Sequence, residues 1–222
     1  MKICILIPVY NESRTIGSLA GSLKRQGFSV VVIDDGSTDD SGLIAKNQGA
    51  HVIRQSSKQG KGYSLQQGFQ YVLERGYEGV VMMDGDGQHS IDDLPQFLQA
   101  AQNHPLSIVV GNRMANSKNM PRIRFLTNKG MSFLISLLCR QKIPDTQCGY
   151  RYIPQDVLKN LKLKSCDFEI ESEILTCACR KGYKVVSVPI QTIYQGEESY
   201  IHPLKDTLRF LNYFFKEIFR RS

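Results

Sequence analysis

The hydrophobic residues of the chain form short unbroken runs that alternate with longer segments of helical periodicity. The runs cover residues 3–8, 29–33, 51–54, 80–83 and 107–110, and polar or glycine-containing segments bound them. Such runs are typical of strands buried on both faces. The intervening segments predict helices over residues 15–26, 39–48, 63–75 and 92–103. This alternation predicts an α/β fold, with a mostly parallel central sheet flanked by helices.

The second half of the chain has longer helical segments. Helices are predicted from residue 122 to about 140, over residues 168–181 and over residues 203–220, with a further strand over residues 183–190. Polar loops are expected over residues 112–121 and 195–200, and we expect the second loop to close over a bound ligand.

Three of the predicted strands end in polar, acidic segments, which are Tyr10-Asn11-Glu12, Asp34-Asp35-Gly36-Ser37 and Asp84-Gly85-Asp86. Ligands of parallel sheets bind outside the carboxyl ends of the strands, so these segments should share one edge and form a site. The acids would repel each other unless a cation or hydrogen-bond donors lay between them. Asp84 and Asp86 suit Mg²⁺, which takes one or two carboxylates plus substrate phosphates. Taken alone, they fit an ordinary Asp-Gly turn equally well.

Composition indicates the kind of binding partner and the cellular compartment. The net charge of +7 indicates an anionic partner, such as a nucleotide, a nucleic acid, a phospholipid surface or a phosphorylated substrate. The six cysteines have no zinc-site spacing and are expected to be reduced. The first strand leaves no room for a signal peptide, and no apolar run reaches the roughly 20 residues that span a bilayer. We therefore expect a cytoplasmic protein.

An ordered series of motifs extends over almost the whole chain. In order they are Pro8-Val9-Tyr10-Asn11-Glu12, Asp34-Asp35-Gly36-Ser37, Gly60-Lys61-Gly62, Asp84-Gly85-Asp86-Gly87-Gln88-His89, Gly111-Asn112-Arg113, Asp145-Thr146-Gln147-Cys148-Gly149-Tyr150-Arg151, Phe168-Glu169-Ile170-Glu171 and Val188-Pro189-Ile190. The series resembles the family 2 glycosyltransferases of the dolichol-phosphate mannose synthase type, which include bacterial polyprenyl-phosphate sugar transferases. The resemblance implies a GT-A fold, a nucleotide-sugar donor (GDP-mannose or a UDP-hexose), a divalent metal (Mg²⁺ or Mn²⁺) and inversion at the anomeric carbon. It also implies a single domain over residues 1–222, with a nucleotide-binding half of about residues 1–111 and an acceptor half of about residues 112–202.

The resemblance assigns the donor site to the acidic strand ends. The base pocket would be lined by Pro8, Tyr10, Glu12, Ile33 and Asp35, with Tyr10 as an aromatic face and Asp35 contacting base or ribose. The metal would be held by Asp86 first and by Asp84, with Gly85 between them and Gln88 beside the diphosphate.

The glycine-rich segment at residues 58–62 has two interpretations. Its glycines could free backbone N–H groups for a phosphate, with Lys61 adding charge. Alternatively it is a plain turn before the helix at residue 63. Related enzymes often have Asn where this chain has Lys58.

The acceptor half contains four further candidate site residues, which are three arginines and Asp145. Arg113, Arg122 and Arg124 suit bidentate phosphate recognition, although a basic loop is commonly just a solvated face. We favour Arg113 for the phosphate. Asp145 matches the position of the base proposed for related enzymes. A phosphate acceptor is already ionised, so Asp145 could instead orient Arg151, and both roles stay open.

The last predicted helix, over residues 203–220, combines many large apolar residues with flanking basic ones. It could lie in a membrane interface, pack on the sheet or form a homodimer contact. The expected function is sugar transfer from a nucleotide-sugar to a polyprenyl phosphate at the cytoplasmic membrane face, with no nucleic-acid partner. The alternatives are a soluble transferase acting on a sugar or protein hydroxyl, and a non-catalytic nucleotide-binding protein.

Overall fold

The structure is a computed structural model that describes residues 1–117, 120–193 and 203–219, with the side chains of the last segment described for residues 209–218. The loop predicted over residues 195–200 lies outside the described residues. The centre of the fold is a seven-stranded sheet of order β3-β2-β1-β4-β6-β5-β7. Its strands are β1 (Ile3–Val9), β2 (Ser29–Asp34), β3 (His51–Arg54), β4 (Gly79–Met82), β5 (Ser107–Asn112), β6 (Arg151–Pro154) and β7 (Lys184–Pro189).

Helices connect and cover these strands. They are α1 (Ile16–Arg25), α2 (Ser41–Asn47), α3 (Lys61–Glu74), α4 (Leu94–Asn103), α5 (Arg122–Cys139), α6 (Gln155–Asn160), α7 (Ile170–Arg180) and α8 (Pro203–Phe219), with short 3₁₀ helices at Ile91–Asp93 and Arg113–Asn116. Every helix predicted from the sequence is present, with ends that differ by a few residues. The α/β class and the mostly parallel sheet are confirmed, since only β6 runs antiparallel to its neighbours β4 and β5.

Two elements, β6 and α6, were not predicted. The strand β6 begins with a charged residue, Arg151, and ends with a proline, so it does not form an apolar run. Arg151 is nevertheless buried, and its guanidinium donates to the main-chain carbonyls of Thr146, Cys148 and Glu171. Main-chain acceptors thus satisfy a buried charge that the sequence pattern alone would place at the surface.

The core lies on both faces of the sheet. The central strand β1 is fully buried from Cys4 to Ile7, which explains its unbroken apolar sequence. No disulfide bond joins the six cysteines, all of which lie in the described part of the chain.

One face of α8 packs on the protein body, against α5 and α7. Phe210 and Phe214 are buried, and Glu217 forms an ion pair with Arg180 of α7. Phe215 and Ile218 remain exposed. No helix in the described part of the chain is long and apolar enough to cross a membrane.

Candidate active site

The three acidic strand ends lie along one edge of the sheet. β2 and β4 both pair in parallel with β1, and the register sets Asp34 at the end of β2 beside Val9 at the end of β1. The prediction that these segments share an edge is confirmed. It follows from the parallel pairing of three strands whose apolar runs all stop at acidic residues.

Main-chain N–H groups donate hydrogen bonds to the two acids at the end of β2, Asp34 and Asp35. The Asp34 carboxylate accepts the main-chain N–H of Ser37 at 2.8 Å. The Asp35 carboxylate accepts the main-chain N–H groups of Gln59 at 2.9 Å and Gly60 at 2.9 Å. Asp35 therefore anchors the loop between β3 and α3 to the end of β2, a role that its motif did not reveal.

The residues predicted to line a base pocket divide into two groups. Pro8, Tyr10 and Glu12 are half-buried at the end of β1, where a ligand could touch them. Ile33 has no exposed surface and belongs to the hydrophobic core, so the prediction that its side chain lines the pocket is wrong. The reason is strand alternation, because neighbouring residues of β2 point to opposite faces of a sheet that is covered on both.

The glycine-rich segment leads directly into α3, which begins at Lys61 with Gly60 as its N-cap. Gly60 has a φ of 104°, and a Cβ there would lie 2.5 Å from the carbonyl oxygen of Cys166. A Cβ on Gly62 would collide with the carbonyl oxygen of Ser165. These glycines let the first turn of α3 pack closely on the segment that precedes α7. The Gly60 N–H is used by Asp35 and is not the phosphate donor that one interpretation required.

Lys61 links the edge of the sheet that carries Asp84 to the second half of the chain. Its ammonium lies 2.6 Å from Oδ1 of Asp84 and 2.7 Å from Oε1 of Glu171, which is on α7. Burial alone would lower the pKa of Lys61, but the charges of Asp84 and Glu171 outweigh it and raise that pKa. Likewise burial would raise the pKa of Asp84, but Lys61 and other positive charges hold it well below its usual range. Both groups are therefore charged at neutral pH.

Asp86 is the second carboxylate after β4. It accepts the main-chain N–H of Gln88 at 2.9 Å, which closes a tight turn around Gly87. Gly85 lies between the acids, where a Cβ would be 2.7 Å from Cγ1 of Val9. The small residue lets this turn approach the end of β1, and it brings Asp84 and Asp86 to the same edge as Tyr10 and Glu12.

Two residues around Asp84 were not identified as site residues from the sequence. The main-chain N–H of Asp84 donates to Nδ1 of His89 at 3.1 Å, which leaves the ring proton on Nε2. Burial lowers the pKa of His89 to about 4, so its 3.8 Å contact with Asp84 is not an ion pair at neutral pH. A Cβ on Gly149 would collide with the Asp84 carboxylate. The motif around residue 149 therefore makes room for Asp84.

Arg113 and Asp145 form a buried ion pair beside this edge. The Nε and Nη2 groups of Arg113 donate to the Asp145 carboxylate at 2.7 Å and 2.9 Å, and the Arg113 main-chain N–H donates to it at 3.1 Å. Burial would raise the pKa of Asp145, but Arg113 outweighs it and lowers that pKa. The expectation that Asp145 would orient Arg151 is wrong: Asp145 holds Arg113, and Arg151 is held by main-chain carbonyls. The pair leaves three of the five guanidinium N–H donors of Arg113 outside it.

The other two arginines belong to α5. Arg122 and Arg124 are in the first turn of α5, with Arg122 exposed and Arg124 half-buried. The same helix has an exposed apolar face, which consists of Ile123, Leu126, Phe133 and Leu137. The fractional exposures run from 56% at Leu137 to 75% at Ile123, values unusual for four large apolar residues on one helix.

A groove of about 750 Å³ lies beside this face of α5. Its lining includes Met114, Phe133, Leu137, Arg140, Ile143 and Pro144. Met114 directly follows Arg113, and Pro144 directly precedes Asp145. The groove is mostly apolar, and two of its lining residues adjoin the members of the buried ion pair in the sequence.

The chain is similar to known glycosyltransferases over most of its length. The family model described as "Glycosyl transferase family 2" matches residues 4–162. A UDP-N-acetylglucosamine–dolichyl-phosphate N-acetylglucosaminyltransferase of Methanococcus voltae is 31% identical over 215 residues, which cover 86% of this chain and 86% of the relative. An undecaprenyl-phosphate mannosyltransferase of Micrococcus luteus is 31% identical over 206 residues, which cover 86% of this chain and 83% of the relative.

A solved structure has the same fold at low sequence identity. It is glucosyl-3-phosphoglycerate synthase from Mycobacterium tuberculosis in complex with Mn²⁺, UDP and phosphoglyceric acid. The TM-score is 0.73 at 17% identity, and the match covers 99% of this chain and 78% of that chain. The GT-A fold expected from the motif series is thus confirmed. Because the family model covers well over half of the chain, and relatives of similar length are 31% identical to it over 86% of its length, the chain belongs to glycosyl transferase family 2.

Proposed function

We propose that this glycosyltransferase transfers a sugar from a nucleotide-sugar to a polyprenyl phosphate, with inversion, at the cytoplasmic face of a membrane. The groove beside α5 is the observation that carries the proposal, because its wall is mostly apolar and its lining includes Met114 and Pro144, the sequence neighbours of Arg113 and Asp145. A polyprenyl phosphate correspondingly has an apolar chain for the groove and an anionic phosphate for Arg113. The lipid-phosphate acceptors named for the Methanococcus and Micrococcus relatives support this choice.

The acceptor phosphate would bind to Arg113, whose sequence neighbour Met114 lines the groove. A buried phosphate without a partner would be very costly, and charge-assisted hydrogen bonds are the strongest available compensation. Asp145 fixes the guanidinium plane, and three N–H donors of Arg113 stay outside that ion pair. Arg122 and Arg124 are retained as secondary candidates for the same phosphate, since both lie at the start of α5.

Asp145 would position Arg113 and would not act as a general base. Its carboxylate is 1% exposed, it accepts three hydrogen bonds from Arg113, and its pKa is lowered. Such a carboxylate is a poor proton acceptor. No base is required, because the phosphate oxygen is already ionised. That oxygen would attack the anomeric carbon, the bond from this carbon to the diphosphate would break, and the nucleoside diphosphate would depart with the electron pair.

The donor would bind along the acidic edge, with its base near Tyr10 and Asp35 and its diphosphate near Asp86. Asp86 first, then Asp84 and Gln88, would hold a Mg²⁺ or Mn²⁺ ion. The residues fit such an ion, because the low pKa keeps Asp84 ionised and the 86–88 turn presents Asp86 at the same edge. In the described part of the chain no group of three or more His, Cys, Asp or Glu residues could hold a metal, which suits an ion completed by substrate phosphates. When bound, the ion would neutralise charge on the departing diphosphate.

The membrane would be contacted by α5 as well as by α8. The exposed apolar face of α5 is flanked by Arg122, Lys129 and Arg140, and α8 adds Phe215 and Ile218. Apolar residues combined with basic ones are what binds an interfacial helix to anionic lipid. Phe214 is not available for this contact, since it is buried against the body of the protein.

Acceptors of different length test the groove directly. We expect Leu137→Ser to raise the KM for a long polyprenyl phosphate several-fold and to leave the KM for a phosphate with one or two isoprene units unchanged. Leu43→Ser is the matched control, because Leu43 on α2 is 55% exposed and Leu137 is 56% exposed. Equal KM values for wild type and Leu137→Ser with the long acceptor would contradict the groove assignment. Transfer to a sugar or protein hydroxyl with comparable efficiency would favour the soluble alternative.

A further inference from the structure

A lysine covers the aromatic ring that is proposed to receive the base. The ammonium nitrogen of Lys58 lies 3.6 Å from the centroid of the Tyr10 ring. Lys58 itself is exposed, and Tyr10 is half-buried. A cation over the centre of a tyrosine ring is a favourable contact, but it occupies the surface on which a base would stack.

The backbone around Lys58 is held in place by its surroundings. The following two residues, Gln59 and Gly60, donate their main-chain N–H groups to Asp35. On the other side Gly36 has a φ of 73°, and a Cβ there would lie 2.8 Å from the main-chain nitrogen of Lys58. The loop therefore rests directly on the turn after β2. These anchors fix the origin of the Lys58 side chain, while its four-carbon stem leaves the ammonium free to move.

A base that stacks on Tyr10 must displace the ammonium from the ring face. Stacking of a base on an aromatic side chain contributes more than a solvent-exposed cation–π contact, so the exchange is favourable. Because its backbone is held beside this ring, the displaced ammonium would turn to the edge of the base. At the edge it offers hydrogen-bond donors and no acceptor.

We infer that Lys58 selects nucleotides whose base carries a carbonyl oxygen at its outer edge, which are uracil with O4 and guanine with O6. Cytosine and adenine present an amino group at the corresponding position. The Lys58 ammonium and this amino group are both hydrogen-bond donors, so they cannot bond to each other. This inference rests on the proposed function, because it takes the surface of Tyr10 as the base site. It adds a specificity residue that lies outside the motif series.

The test compares nucleotides that differ at this edge. UDP and CDP, each with Mn²⁺, are titrated by calorimetry into wild type and Lys58→Met, and GDP and ADP serve as a second pair. We expect wild type to prefer UDP over CDP by about tenfold or more, or GDP over ADP by a similar factor, as a charged hydrogen bond implies. In Lys58→Met the ratio should fall below about threefold, with binding retained because the Tyr10 face is uncovered. Lys46→Met removes an exposed lysine in the last turn of α2 and should keep the wild-type ratio.

The outcomes separate this inference from the proposed function. If wild type binds a nucleotide and Lys58→Met keeps the wild-type ratio, the role of Lys58 is wrong and the proposed function stands. A wild type that binds UDP and CDP equally well, and GDP and ADP equally well, also overturns the role of Lys58. If wild type binds none of the four nucleotides with Mn²⁺, both the inference and the proposed donor site fail.

Discussion

Replacement of Asp145 by Asn should destabilise the protein strongly, because Arg113 and Asp145 are buried together. Arg113 is 6% exposed and Asp145 is 1% exposed. Removal of one partner from a buried ion pair costs about 3–5 kcal/mol, since the other charge is left without compensation. For a chain of 222 residues each kcal/mol lowers the Tm by about 2–4 °C, so we expect a decrease of about 6–20 °C.

The assay is thermal unfolding of Asp145→Asn beside Asp156→Asn, whose side chain on α6 is 71% exposed. Exposed pairs contribute about 0–1 kcal/mol, so the control should melt near wild type. Replacing both partners, as in Arg113→Met with Asp145→Leu, should be milder than either single change. The difference between wild type and Asp145→Asn should also shrink as the pH falls below about 4, because the stabilisation from a lowered carboxyl pKa is complete above the pKa of the unfolded chain and is lost as the pH falls towards the pKa of the folded protein. A Tm of Asp145→Asn within about 2 °C of wild type, or purely additive losses in the double variant, would refute the reasoning.

Two further predictions concern the surroundings of Asp84. Lys61→Met leaves Asp84 and Glu171 without their shared cation, so the loss of Tm should be larger in EDTA than in Mn²⁺; equal losses in both buffers would count against a metal at Asp84. The pKa of His89 is about 4 instead of 6.5, so the unfolded chain binds more protons between these values and stability should fall as the pH drops from 6.5 to 4. Between pH 6.5 and pH 4 the urea midpoint of His89→Gln should fall less than that of wild type or of the exposed control His104→Gln. If the midpoint of His89→Gln falls as far as that of wild type, His89 is not the group responsible.

The edge of the sheet was predictable because its determinants are local. Each of β1, β2 and β4 is an apolar run that stops at an acidic segment, and parallel strands bring such ends together. The partners of the acids were not predictable in the same way. Asp145 pairs with Arg113, which is 32 positions away in the sequence, and Lys61 pairs with Glu171, which is 110 positions away. Pairings of that kind depend on tertiary packing, which a local pattern does not encode.

One signal for Glu171 was nevertheless present in the sequence. Glu171 shares a helix face with Ile174, Leu175 and Ala178, which follow it at intervals of three, four and seven residues, and all four are buried. An acid on the apolar face of a helix requires a buried partner. The error on Ile33 has a similar local cause, since a position within a strand motif can face the core instead of the ligand.

Single-turnover transfer of radiolabelled sugar tests the proposed acceptor most directly. Wild-type protein with Mn²⁺ would be offered a polyprenyl phosphate and the matching polyprenol in parallel, with GDP-mannose and UDP-hexoses as donors. The account predicts a labelled product from the phosphate alone, lost in EDTA, because only the phosphate oxygen can attack without a base. Equal transfer to the alcohol, or no product from any donor with the phosphate, would contradict it.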